Sequence, residues 1–268
     1  DAEQNREAAV QDRLQQETEA LGFKSDRWEV FPDRPNLVAD LPGDEDRSLI
    51  LCGHVDVVPI GERSEWTVAP FGGQIADGKL YGRGAVDMKS GVAACIAAAR
   101  ALNKAGVDLQ GRLSIHTVVD EEAGGFGAMD AVAKGKLAKA AIVAEPTWGD
   151  VIPSEGGLFW TRVTIKGRQG HAGLRFNEVW PQRDLPGRTL PGVNAVELST
   201  RFLAALREFE SIRCRTSYHP LVPPGLNTIN PGVIRGGAGL GEDGLPIILT
   251  NPAIIPDVVV IDLDYKFL

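Results

Sequence analysis

The sequence predicts an α/β protein in two parts: a catalytic portion with a mainly parallel sheet over residues 1–156, and a separate α+β domain over residues 157–268. Three observations predict it. Short apolar runs at 49–52, 113–119 and 140–144 alternate with helical segments, the pattern of a parallel sheet joined by crossover helices. Each run ends in imidazole or carboxylate residues, and such sheets place their ligands outside the carboxyl ends of the strands. After Gly156 and Gly157 the pattern changes to strands grouped around one long amphipathic helix, the composition of a second small domain.

The 268 residues are 43% hydrophobic and 24% charged, the balance of a soluble globular protein able to bury a real core. A net charge of -8 argues against nucleic acid or an anionic membrane surface as partner. Cys52, Cys95 and Cys214 lie far apart without a CxxC pair, so neither a disulfide framework nor a sulfur-ligated zinc site is expected. Together with the lack of a span-length apolar run or a signal peptide, this predicts a cytoplasmic protein. The chain opens at Asp1, without a Met and already in a helical pattern, so a preceding segment is expected.

In chain order, Val10, Leu14 and Leu21 recur at helical spacing, and Gly22 closes that helix. Residues 28–31 and 36–39 read as short strands around a Pro-containing turn. The acidic stretch 43–47 reads as a surface loop leading into the strand at 49–52. A loop rich in Gly, Pro and aromatics follows, then a helix from about 89 to 104 with Val92, Ile96 and Leu102 on its apolar side. The strand 113–119 precedes a short helix at 128–134 and the strand 140–144. Residues 158–166 alternate as a strand, and 176–191 form a Pro- and Arg-rich excursion. A helix over 194–213, with Val196, Leu203, Leu206 and Phe209 on its apolar side, and strands near 226–233, 246–249 and 258–265 complete the second domain.

The candidate chemistry sits at the strand ends. His54 and Asp56 are two apart in an extended segment and share one face, an imidazole backed by a carboxylate that fixes its tautomer. Asp87 opens a helix, where a carboxylate serves equally as a cap or as a ligand. Asp120, Glu121 and Glu122 crowd one strand end, costly unless something positive sits among them, and Glu145 ends the next strand. His116, mid-strand among apolar residues, reads as a satisfied core histidine. One imidazole with several carboxylates suits zinc, or cobalt or manganese, and a pair of ions sharing one carboxylate explains the concentration of acid. One acid then remains as general base.

The stretches GHVDVVP, LYGRGAVDMKSG, DEE, AEP and GRQGHAG, in this order, resemble the zinc exopeptidase and deacylase family of acetylornithine deacetylase, succinyl-diaminopimelate desuccinylase, aminoacylase and glutamate carboxypeptidase. The resemblance implies a catalytic α/β domain with two zinc ions and an inserted α+β lid used for dimerisation. It implies that His54 and Glu145 hold one zinc, that Asp87 bridges, that Glu122 holds the second zinc, and that Asp56 stands behind His54. Glu121 is the implied general base, and His171 the lid histidine that stabilises the oxyanion across a homodimer. The implied substrate is a small N-acyl amino acid; a dipeptidase or carboxypeptidase, or a scaffold protein that has lost turnover, are the rival readings.

Two departures qualify the resemblance. Relatives bring a further histidine to the second zinc from a segment after the lid, whereas this sequence stops at Leu268, so a weak second metal position and low activity are expected of the fragment. In the lid, Asn251 only roughly matches the relatives' substrate-holding Asn, and Lys266 stands where they carry an Arg, a point charge in place of a bidentate fork.

Overall fold

The computed structural model describes residues 6–174, 192–220 and 225–268. The predicted excursion at 176–191 lies outside the described residues. The chain divides into two compact units, Asp1–Val151 and Ile152–Leu268.

The first unit contains α1 (Ala8–Glu19), β1 (Lys24–Phe31), β2 (Arg34–Leu41), β3 (Asp44–His54), a small hairpin of β4 (Gln74–Ala76) and β5 (Lys79–Tyr81), α2 (Ser90–Lys104), β6 (Gly111–Val118), α3 (Phe126–Ala133) and β7 (Ala140–Val143). Its five-stranded sheet has the order β1-β2-β6-β3-β7. The α/β architecture is as predicted, but the sheet is mixed. β6, β3 and β7 run parallel, and the β1–β2 hairpin adds antiparallel to β6. A short turn at 32–33 joins β1 to β2, and so tight a connection permits only antiparallel pairing.

The core beneath α2 gathers Phe23, Ala39, Val92, Ile96, Ala99, Leu113 and Ile115. Two glycines let α2 come this close. A Cβ on Gly53 would lie 2.7 Å from the Val92 side chain, and one on Gly91 would lie 2.0 Å from the Ala144 carbonyl oxygen.

Two details depart from the sequence reading. β3 starts at Asp44, not after the acidic stretch, because Arg112 bonds both Glu45 (2.8 Å) and Asp40 (2.9 Å) and neutralises acid that a loop would have solvated. α1 buries Gln11 and Thr18 although its expected face was apolar. Gln11 donates to the carbonyls of Pro35 and Thr117 at 2.9 Å each and accepts from the Thr117 hydroxyl at 2.6 Å, so its amide costs nothing to bury. β7 is a strand as expected, but all four of its residues are exposed, and among the described residues it pairs with β3 alone.

The second unit comprises β8 (Gly157–Lys166), α4 (Ala195–Thr216), β9 (Ile229–Leu240), β10 (Pro246–Ile248) and β11 (Val258–Phe267). Its sheet is antiparallel, in the order β10-β9-β11-β8. Asn194 caps α4, its side-chain oxygen accepting from the amides of Val196 (2.9 Å) and Glu197 (3.3 Å). α4 covers one face of the sheet, packing Phe202, Leu203 and Leu206 against Val163, Val259, Ile261 and Leu263.

Candidate metal centre

β3 runs parallel to β6 on one side and β7 on the other, so their carboxyl ends lie side by side. His54 is the last residue of β3, Glu121 and Glu122 follow β6, and Glu145 follows β7. Asp87 arrives from an irregular turn ahead of α2, where the backbone leaves helical geometry at φ -108°, ψ 106°. That turn aims its carboxylate at the strand ends and not along the α2 axis, which separates the ligand reading of Asp87 from the cap reading.

His54 is buried at 1% exposure and organises the cluster. Its Nε2 lies 3.0 Å from Asp87 Oδ1 and 3.8 Å from both Glu121 Oε2 and Glu145 Oε1. Its Nδ1 faces the other way, 3.1 Å from the Asp56 carbonyl oxygen and 3.4 Å from Asp56 Oδ1. Asp56 in turn accepts from the backbone amides of Glu121 (3.2 Å) and Glu122 (3.1 Å). One buried carboxylate therefore braces the imidazole and fixes the peptides that carry both glutamates.

The electrostatics are those of crowded acid. Burial alone would lower the His54 pKa, but the hydrogen bond and charge of Asp56, with Asp87 and Glu145, push it up to about 9. Burial, reinforced by Asp87, Glu121 and Glu122 and opposed by His54, pushes Glu145 up to about 7. Glu122 is raised too, by burial and then by Asp87. Burial works against the Asp56 carboxylate, yet the hydrogen bond from His54 and the amides of Glu122 and Glu121 hold it below the usual range.

The residues present fit a divalent cation. His54, Asp87 and Glu122 form one group, and His54, Glu121 and Glu145 another, with the donor atoms of each group within 4.8 Å of one another. A neutral imidazole with oxygen donors suits zinc, cobalt or manganese, and an ion among these acids relieves the repulsion that raises Glu122 and Glu145. Glu121 and Glu145 stand equally far from His54 Nε2, so distance does not separate a base from a ligand between them.

Of the expected site residues, His54, Asp56, Asp87, Glu121, Glu122 and Glu145 come together within the first unit. His171 belongs to the second unit. It is exposed, forms an isolated bridge to Ile254, and accepts the Gly173 amide at its Nδ1 over 3.1 Å. Asn251 accepts the Ala253 amide at 3.0 Å, and Lys266 is exposed near the end of β11. His116 is a core residue, buried at 4% exposure, but not a fully satisfied one, since its Nε2 has no hydrogen-bond partner among the described residues.

Several supporting residues left no mark in the sequence. Asp120 is held by Arg34 at 2.5 Å, and Arg34 also bonds Glu7 at 3.0 Å, so the first acid of the DEE run is neutralised by an arginine of β2. Asn36 accepts the Val119 amide at 3.1 Å and donates to the Gly127 carbonyl at 2.7 Å, fixing the backbone just ahead of the glutamates. Lys89 donates to the Val55 carbonyl at 3.1 Å, between His54 and Asp56.

The profile of Peptidase family M20/M25/M40 matches residues 50–235, most of the chain and the whole of this cluster. The chain belongs to that family. M20 relatives include the N-formyl-4-amino-5-aminomethyl-2-methylpyrimidine deformylase of Halalkalibacterium halodurans, 36% identical over 86% of this chain and 53% of its own length. A succinyl-diaminopimelate desuccinylase of Caulobacter is 41% identical over 64% of this chain and 44% of its own. The chain thus spans about half the length of the curated relatives it matches. Among solved structures, an M20 metallo-carboxypeptidase of Sulfolobus solfataricus superposes with a TM-score of 0.63 at 18% identity, covering 96% of this chain and 65% of the other. That likeness carries the M20 fold. The described helices include none long and apolar enough to cross a membrane.

Proposed function

We propose that the protein is a dinuclear zinc hydrolase that removes an acyl group from the nitrogen of a small molecule. The observation that carries this reading is the gathering of four carboxylates around the Nε2 side of one buried imidazole, at the carboxyl ends of three parallel strands. The deformylase and desuccinylase names of the relatives point the same way, since both describe cleavage of an N-acyl bond.

In this reading His54, Glu145, Glu122 and Asp87 are the residues that would hold the zinc ions. Bound there, zinc would supply an acidified water and a polarised carbonyl. Glu121 would act as the general base, taking a proton from the attacking water and giving it to the departing nitrogen, so that a neutral amine leaves. Asp56 keeps the ring of His54 in one tautomer and orientation through the contact at Nδ1. His171 stabilises the oxyanion from a second copy of the chain, which makes a homodimer through residues 157–268 the working form.

Replacing Glu121 with Gln tests the central role. Turnover should fall by about 10²-fold or more, the low end of what positioned acid–base groups contribute, while bound zinc, counted by atomic absorption, stays as in the parent. Unchanged turnover would remove Glu121 as the base.

A further inference from the structure

On the Asp56 side of the metal cluster, the first unit has a hollow of about 270 Å³. Val55, Asp56 and Val57 form part of its wall, and Val10 and Phe71 add apolar surface. Among the described residues, none of those whose donor atoms gather on the Nε2 side of His54 lines it, so the hollow lies apart from the candidate metal centre. Three cations and two acids face it, Arg6, Arg83 and Lys89 against Glu7 and Asp56.

Both acids are already engaged. Glu7 accepts from Arg34 Nε at 3.0 and 3.2 Å, and Asp56 accepts the amides of Glu121 and Glu122 while it braces His54. Two of the cations are not matched in this way. Lys89 donates to the Val55 carbonyl at 3.1 Å, which uses one N–H of an ammonium that has three, and among the described residues it forms no ion pair with a carboxylate. Arg83 donates through Nη2 to the Pro59 carbonyl at 3.3 Å and lies over the Trp66 ring, 5.2 Å from its centroid, likewise without a carboxylate among the described residues. Its Nε is closed to solvent, whereas its Nη1, which also lacks a hydrogen bond there, is open. The two cations are neighbours, since a Cβ on Gly84, the residue after Arg83, would lie 2.5 Å from Lys89 Nζ.

Two like charges, each half-buried and lacking a counter-charge, are costly to hold together, and a small anion relieves them. The rest of the wall chooses which anion. Phosphate would set a second negative charge beside Glu7 and Asp56 and would leave the apolar wall uncovered. A monocarboxylate with a short alkyl tail brings one charge to Arg83 and Lys89 and lays its tail against Val10, Val57 and Phe71. We propose that this hollow is a second ligand site, taking a short-chain aliphatic monocarboxylate. The site goes beyond the hydrolase reading, because it needs neither the metal nor turnover.

The test is a calorimetric titration with pentanoate, run on zinc-loaded protein and on protein stripped with phenanthroline. Acetate keeps the charge with a minimal tail, 1-pentanol keeps the tail without the charge, and phosphate is a compact anion of higher charge. Saturable pentanoate binding is expected in both forms, at least fivefold tighter than any of the three. Arg83→Gln and Lys89→Met should each weaken it at least fivefold, with circular dichroism unchanged. Lys89 also holds the Val55 carbonyl, so Arg83→Gln decides the matter should Lys89→Met fail to fold. No saturable binding, a smaller preference over any of the three probes, or parent-like affinity in Arg83→Gln overturns the proposal. So does binding that vanishes when the metal is stripped, which would put the carboxylate on the zinc ions.

Discussion

At the scale of single residues, the cluster works by making one ionisable group answer to many. Asp56 touches no reacting atom in this reading, yet it braces the imidazole and accepts the amides that carry Glu121 and Glu122. His116 shows the opposite case, a titratable ring that its surroundings keep neutral. Burial holds its pKa down at about 4, against 6.5 for an unperturbed histidine. Between those values the unfolded chain binds the proton and the folded chain does not, so this residue costs stability as pH falls from 6.5 to 4 and is neutral above that window. The full difference is on the order of 3 kcal/mol. Urea unfolding of the parent and of His116→Gln should therefore diverge below pH 6.5, the variant losing less stability as pH drops. Parallel curves would place the pH dependence elsewhere.

The same scale explains what was legible in the sequence. His54, Asp87, Glu121, Glu122 and Glu145 stand where apolar runs or a helix begin or end, and a change of local pattern is visible without knowing the fold. Gln11, Arg34 and Asn36 are polar residues buried by partners distant in the chain, and nothing local distinguishes them from solvated ones. The histidine at 116 was legible as core, but its unsatisfied nitrogen was not.

At the scale of elements, the site depends on how closely α2 lies over the strand ends. Gly91 sits in the first turn of that helix, directly against the carbonyl of Ala144, one residue before Glu145. A methyl group has no room there, and the listener to any shift is the strand end that carries the carboxylate. Gly91→Ala should cost about 1–3 kcal/mol by overpacking, read by denaturant unfolding, and should weaken zinc binding by displacing Glu145. Parent stability with parent zinc affinity would mean that the helix moves aside freely. Here too the sequence was only half informative. The alternation of helices and strands marked the parallel strands that hold the site, and 28–31 and 36–39 were legible as strands around a turn, but that this pair joins the sheet antiparallel beside β6 was not.

For the whole molecule, metal and protons compete for the same groups. An ion must displace the proton of His54, held up to about pH 9, and that of Glu145, held up to about pH 7. Without metal, the imidazolium of His54 stabilises the fold below its unfolded value near 6.5, and that contribution is lost as pH rises through 9. Zinc affinity should accordingly rise from pH 6 to 9 and level off above, and stripping the metal should destabilise the fold more at pH 9 than at pH 6. Calorimetric titration and thermal melts of the stripped and loaded protein measure both; an affinity that is flat with pH would separate His54 from the ion. The dimer reading belongs to this scale as well. Mixing His171→Ala chains with Glu121→Gln chains should restore part of the activity that each lacks alone, because a mixed pair contains one site with both groups intact.

The edge strand β7 has a consequence for how such a centre comes apart. Its four residues are exposed and, among the described residues, hydrogen-bonded on one side only, yet it delivers Glu145. Amide protons there should exchange with solvent sooner than those of the central strand β6, and a coordinated ion would slow them by tying the loose margin of the sheet to its middle. Among the described residues, Glu145 is thus the one acid of the cluster that follows a strand paired on one side only.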